Sequence, residues 1–210
     1  MITAPPIRKK CPHCGAIKKL SNLVSGNTFG AKAWSDTKVY YPMLPQNSPV
    51  QKCPACNRYY FLKDAKDSTA LPLFEKVFDK KAYSSDTGAL NFNEAKEALE
   101  QLYDGSSEDR RFLLRLLVLY TYNDRYRYVP AGTTVEHDEN RPFFIENCRA
   151  MTEMAEAGGT LKAELSREIG DFEMCLQTLN SLAPAVGYEN SVRDHIRDKA
   201  LNSDSTVFIL

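Results

Sequence analysis

Histidine is scarce in this chain, with three among 210 residues, and none stands in a recognisable catalytic context. No Ser/His/Asp set, paired carboxylates or open three-ligand metal site compensates for that scarcity, so catalysis is not the expected role. A glycine-rich phosphate loop is also missing. The longest apolar run, Leu116 to Tyr120, falls far short of the roughly 18 residues a membrane span needs, so no membrane partner is expected. The first ten residues, with two prolines and three basic side chains, lack the apolar core of a secretion signal; the expectation is a cytoplasmic protein. Net charge is absent too, because 27 Lys and Arg balance 27 Asp and Glu, which excludes a uniformly basic nucleic-acid coat protein. What is there is an ordinary globular composition, 43% hydrophobic and 26% charged, with room for a small module and a larger one.

Four of the six cysteines form two pairs. Cys11-Pro12-His13-Cys14-Gly15 and Cys53-Pro54-Ala55-Cys56-Asn57 both read C-P-x-C followed by a residue that tolerates positive φ. Two residues between thiolates let both sulfurs reach one ion while the backbone turns beneath it. Two such turns supply the four corners of a tetrahedron, the arrangement of a closed structural Zn²⁺ site with Cys11, Cys14, Cys53 and Cys56 as ligands. The 38 residues between the pairs are about twice the usual spacing. Redox chemistry is the rival reading, since Cys11-Pro12-His13-Cys14 has the letters of a thioredoxin-like disulfide oxidase, but the βαβ context that chemistry requires is missing. With four thiolates present, His13 is expected at the tip of its turn, facing solvent. Cys148 and Cys175 fall in helical patterns and read as buried small hydrophobes.

The composition changes near residue 66. Residues 1–66 hold eleven basic and two acidic side chains, a net charge of +9, with seven of the eleven prolines and the only tryptophan; residues 67–210 carry −9. The first segment reads as a loop-and-strand module organised by a metal, with a strand at Arg58 to Leu62. The second reads as helical: Leu71 to Tyr83, a helix opened by the Asn91…Glu94 capping signal, a nearly all-apolar helix from Ser106/Ser107 onward, a helix from Phe143 ending at Gly158-Gly159, then Leu161–Ile169, Phe172–Leu182 and Ser191–Leu201. The fold class expected is therefore mainly α, with a zinc-ribbon-like module over 1–66 and an antiparallel helical domain over 67–210.

Within the helical part, Ala163, Gly170-Asp171-Phe172 and Cys175 place small residues twelve apart around a helix-ending glycine and a capping aspartate. This resembles the tetratricopeptide-repeat (TPR) family, although the early aromatic of the first helix is absent and Cys stands where Ala is usual. Phe92 to Leu99 is a weaker echo. Two repeats seldom stand alone, so the remaining helices must complete the core. As a whole the chain resembles a group of largely uncharacterised bacterial proteins that join an N-terminal double-CPxC zinc module to a TPR-like region. The two knuckles, Ser25 to Gly30, Trp34-Ser35-Asp36, Pro42 to Pro45 and Glu164 to Phe172 carry that likeness. It implies an architecture and no activity.

Several further groups are candidates. Residues 25–36, with Asn27, Thr28, Trp34, Ser35 and Asp36, offer ligand-binding groups and the site of a weaker, enzymatic reading; the simpler expectation is a loop folded over the zinc with Trp34 as its plug. Tyr120, Tyr122, Arg125, Tyr126, Arg127 and Tyr128 interleave rings and guanidinium groups and could grip a partner, or cover the core and pair with nearby acids. Glu136 to Glu139 reads as a solvated loop, His195 as a helix-face residue, and Val207 to Leu210 as either packed back or available to a groove. The lysines of the first module with Tyr40, Tyr41, Tyr59, Tyr60 and Phe61 could bind nucleic acid through phosphates and stacked bases. Docking of that module on the acidic helical domain, or on a partner, competes with it. The function expected is that of a non-catalytic zinc-binding scaffold with a protein partner; nucleic-acid binding through residues 1–66 is the alternative.

Overall fold

The computed structural model of the chain describes residues 2–44, 46–68, 88–127, 138–154 and 156–210. The helix expected over Leu71 to Tyr83 lies outside these residues, as do Tyr128, Glu136 and His137. Short strands dominate the N-terminal part and helices the rest, so the mainly α reading holds. The described residues form two compact units, Met1–Ala31 with Tyr41–Asp104, and Lys32–Tyr40 with Gly105–Leu210. This division departs from the boundary expected at residue 66. A helix beyond that point belongs to the first unit, and nine residues from between the cysteine pairs belong to the second.

In the first unit, β1 (Ile2–Thr3) pairs with β4 (Leu23–Ser25), and β2 (Ile7–Lys10) lies between β3 (Ile17–Leu20) and β9 (Lys66–Asp67). A separate antiparallel pair joins β7 (Val50–Lys52) to β8 (Tyr59–Phe61). Tyr59, Tyr60 and Phe61 are all buried, so β8 is covered on both faces. Part of that cover is helix α1 (Phe92–Leu102), which opens with the expected capping box: Glu94 N–H donates to Asn91 Oδ1 at 3.0 Å, and Asn91 N–H to Glu94 Oε2 at 3.2 Å. Its stripe of Ala95, Ala98 and Leu99 is buried and it packs on β8. The Tyr59 hydroxyl donates to Glu97 at 2.6 Å, and Lys52 sits 3.3 Å from Glu94. These acids are why α1 belongs with the basic strands. Counted by unit, the first has 13 basic and 9 acidic residues, a net +4, so the sharp charge contrast across residue 66 is largely neutralised within the unit itself.

The second unit holds α2 (Glu108–Arg127), α3 (Arg141–Thr152), α4 (Gly159–Glu168), α5 (Phe172–Ser181) and α6 (Tyr188–Leu201). Helix α3 stops at Thr152, short of the expected Gly158. Helices α4 and α5 form a hairpin whose turn needs Gly170 at φ +90°. Asp171 then caps α5 by accepting from Met174 N–H at 3.0 Å. Ala163, Cys175, Leu179, Ile196 and Ala200 share one core cluster, so the small residues do permit close helix approach.

Added to these helices is the hairpin of β5 (Lys32–Ala33) and β6 (Val39–Tyr40). The C-terminal residues pair along it: Ser35 N–H donates to Phe208 O at 2.9 Å and Leu210 N–H to Ala33 O at 3.0 Å, so Val207 to Leu210 is packed back. The hairpin tip is fixed by a buried polar network. Asp36 Oδ2 accepts from the Arg127 guanidinium and, at 3.0 Å, from Asn123 Nδ2. Asn123 also donates to Glu168 Oε2 at 2.8 Å, and Arg127 to Asp124 at 2.8 Å. A second buried pair, Glu164 with Arg167, is bidentate at 2.5 and 2.8 Å. Burial, with Glu164 and Asp36 close by, pushes the Glu168 carboxyl well above the ordinary carboxylate range.

Breaking such a pair from one side leaves a buried charge. Asp36→Ala is expected to cost the second unit about 3–5 kcal/mol in denaturant unfolding, far above the loss from an exposed site such as Lys32→Ala. Glu168 gives a separate expectation. Its folded pKa is raised, so the native state binds a proton that the unfolded chain releases above its ordinary carboxylate value, and stability falls as pH rises past that point. Glu168→Gln should flatten this decline, raising Tm at pH 8 more than at pH 5; an equal shift at both would refute it.

Candidate metal centre

Each cysteine pair is the turn of a β-hairpin, the first joining β2 to β3 and the second β7 to β8. The turns are built alike. Gly15 N–H donates to Cys11 O at 2.9 Å and Cys11 N–H to Ala16 O at 2.9 Å; Asn57 N–H donates to Cys53 O at 2.8 Å and Cys53 N–H to Arg58 O at 2.9 Å. Both turns pass through the left-handed region, at φ +73° for Gly15 and +56° for Asn57, as the residue types predict.

The four sulfurs converge, all within 4.8 Å of one another, with Cys14 Sγ 3.6 Å from Cys53 Sγ and Cys11 Sγ 3.9 Å from Cys56 Sγ. A tetrahedral ion with metal–sulfur bonds of about 2.3 Å requires sulfurs about 3.8 Å apart, so the donor set fits a metal ion with little movement. Cys11 and Cys53 are buried and Cys14 is exposed, which puts the site at the surface of the unit. Burial opposes ionisation of Cys53, but N–H groups of Cys56 and Ala55 and the adjoining thiols outweigh it and bring its pKa to about 7. At Cys14 the Ala16 backbone favours the thiolate, yet desolvation and the other three sulfurs push it up to about 12. One thiolate thus forms readily, and the last needs the positive charge of a metal.

His13 is not a ligand. It is exposed, but its Nε2 lies 3.0 Å from Tyr59 O, so it ties the first knuckle to β8 rather than standing free at a tip. Tyr60, a stacking candidate in the sequence, belongs instead to the core around the sulfurs. Buried beside Cys11 and Cys53, it is pushed up to about 12 by burial and the surrounding thiolates. Three consecutive aromatics were the available signal, since a run without polar alternation marks a strand buried on both faces.

Tyr122 is buried and stacked on Phe144 at 3.9 Å, and the Arg125 guanidinium lies 4.0 Å over its ring while pairing with Asp138. Arg127 is bound to Asp36 and Asp124, so Tyr122, Arg125 and Arg127 cover and lock a helix end instead of presenting a grip. Trp34, expected as the plug of the loop between the cysteine pairs, belongs to the second unit. It lies 5.3 Å from the Arg127 guanidinium and lines a mostly apolar cavity of about 280 Å³ with Val39, Leu161, Val192 and Leu210. Asp36, the titratable group beside it, is consumed by its ion pair, which weakens an enzymatic reading of this loop. Cys148 and Cys175 are fully buried, and burial pushes both thiols up, as inert core residues require. His195 lies on α6 with Nδ1 2.7 Å from Ser191 O.

Comparison with protein-family models, with curated proteins and with solved structures gave no match.

Cys53→Ser is expected to lose the bound metal and to expose the strands of the first unit to protease, while helices α2 to α6 keep their resistance. Metal analysis and limited proteolysis with mass mapping read both; unchanged metal content in this variant would exclude Cys53 as a ligand.

Proposed function

We propose that this protein is a non-catalytic, zinc-stabilised interaction protein of a reducing compartment. The observation that carries the reading is the convergence of four cysteine sulfurs at tetrahedral spacing. Four thiolates fill the coordination of Zn²⁺ and leave no position for water or substrate, which is the signature of a structural site. The all-sulfur donor set favours a soft or borderline metal, and among these zinc needs no redox partner or cluster assembly. The first unit requires such support. Its strands are two to four residues long and bury few large side chains, so ligation supplies folding energy that its core does not.

The helical unit is read as TPR-like and as the protein-binding part. The α4–α5 hairpin, with Ala163 and Cys175 buried at its closest approach, supports that reading, and α6 stacks on it as the next helix would in a repeat. Exposed Met174, Val186, Tyr188 and Leu201 give this unit apolar contact area.

Purified protein should contain one zinc per chain. Cobalt(II) exchanged into the site should give the intense visible bands of tetrahedral tetrathiolate coordination. Chelation should make Cys11, Cys14, Cys53 and Cys56 reactive toward a thiol reagent, with Cys148 and Cys175 still protected. Four freely reactive thiols in metal-replete protein would overturn the structural-zinc assignment.

A further inference from the structure

The cavity of about 280 Å³ beside Trp34 lies wholly within the second unit. Its apolar wall is Ala33, Trp34, Val39, Leu161, Val192 and Leu210, drawn from the β5–β6 hairpin, α4, α6 and the C-terminal residues. Val39 and Tyr188, which also line it, are exposed, so the cavity opens to solvent. Protein interiors are otherwise close-packed, and an apolar hollow forfeits contacts until something fills it. An apolar cavity of about 150 Å³ holds one benzene molecule, so a volume of this size takes about eleven non-hydrogen atoms. A partner's phenylalanine or leucine side chain would leave about half of it empty.

The charges at its edge are already matched. Glu189, the charged residue of the lining, is 2.5 Å from Arg193, which also donates to Thr160 Oγ1 at 3.2 Å and to Ala183 O at 2.6 Å. The Arg127 guanidinium over the Trp34 ring is paired with Asp36 and Asp124. An ionised ligand would therefore lose its hydration without gaining a counter-charge. Hydrogen-bond donors, in contrast, are unspent. Ser35, 4% exposed, accepts from Phe208 N–H at 3.2 Å, and Thr160 accepts from Arg193; among the described residues neither hydroxyl donates, so each keeps a proton to give. Helix α4 starts at Gly158, which has no capping side chain, so the N–H groups of Thr160 and Leu161 lack their usual acceptor.

We propose that this cavity binds a small uncharged molecule, a flat two-ring body of about eleven non-hydrogen atoms that carries one carbonyl oxygen. The aromatic side chains of Trp34 and Tyr188 offer the rings a stacking surface, and the unspent donors hold the oxygen. The site binds and does not catalyse, because Asp36 and Glu189 are both consumed by arginines. It contains none of the four cysteines, so it stands or falls apart from the zinc reading.

The chain has a single tryptophan, so the indole N–H of Trp34 gives one side-chain resonance in the spectrum of isotope-labelled protein. Full-length, metal-loaded protein is titrated with α-tetralone, with tetralin, which lacks the oxygen, and with the ammonium and carboxylate derivatives of tetralin. A saturable shift of the Trp34 resonance is expected, with α-tetralone about fivefold tighter than tetralin and both ions weaker than either. Val39→Phe, which fills the cavity from its exposed edge, should weaken α-tetralone about tenfold. Thr160→Val should weaken it about fivefold and leave tetralin unchanged, whereas Phe29→Ala, on the first unit, should change neither. Where Val39→Phe disturbs the hairpin, Leu210→Phe gives the same comparison. No saturable shift, tetralin or either ion binding as tightly as α-tetralone, or equal binding by a folded filled variant would overturn the proposal. Tighter binding of N-acetyltryptophanamide would overturn it by giving the cavity to a partner's side chain. A Trp34 resonance that moves with protein concentration alone would overturn it by giving the cavity to a second copy of the chain.

Discussion

Four sulfurs held within 4.8 Å cannot all carry charge unless a cation sits among them, and the arrangement of the first unit follows from that constraint. The two hairpins have few side chains of their own to pack together, and their turns are shaped to aim thiolates rather than to bury apolar groups. What core there is collects around the sulfurs. Tyr60 and Ala65 pack on Cys11 and Cys53, and α1 covers the far side of the same strand through Tyr59 and Glu97. Metal, aromatic strand and capped helix are thus one cooperative arrangement.

The second unit is held by a different device, charge taken out of water. Asp36, Arg127, Asn123, Glu164, Arg167 and Glu168 form two adjacent buried groups, each acid answered by an arginine or an amide. Burying them confers little net stability compared with apolar residues of similar size, but it dictates which hairpin residue must meet which helix. Trp34 and Phe208, each beneath a guanidinium, complete that specification with cation–π contacts at 5.3 and 5.2 Å.

Legibility in the sequence tracked the range of the interactions. The knuckles were legible because ligand spacing and the turn residues Gly15 and Asn57 act over five positions. Asn91 with Glu94, and Gly170 with Asp171, were legible for the same reason. The destination of residues 32–40 was not, since Asp36 finds Arg127 91 positions away and nothing near either residue announces the other. Charge counting along the chain divided it at residue 66, whereas the acids of α1 neutralise basic strands of their own unit. Tyr59, Tyr60 and Phe61 look like a stacking surface in the sequence, and only the helix laid over them reveals that they are core.

Neither unit is a continuous stretch of chain: the polypeptide passes from one to the other after residues 31, 40 and 104. During synthesis the ribosome therefore delivers the pieces out of order. Both cysteine pairs have emerged once residue 56 is out, and the metal can close its hairpins then. The segment between them carries Asp36 and must wait unsatisfied until Arg127 appears, and the C-terminal residues that pair along it are the last made. Metal loading early in translation would hold the waiting segment as a tethered loop, so metal supply to the nascent chain would bear on the folding of a unit that contains none of the four cysteines.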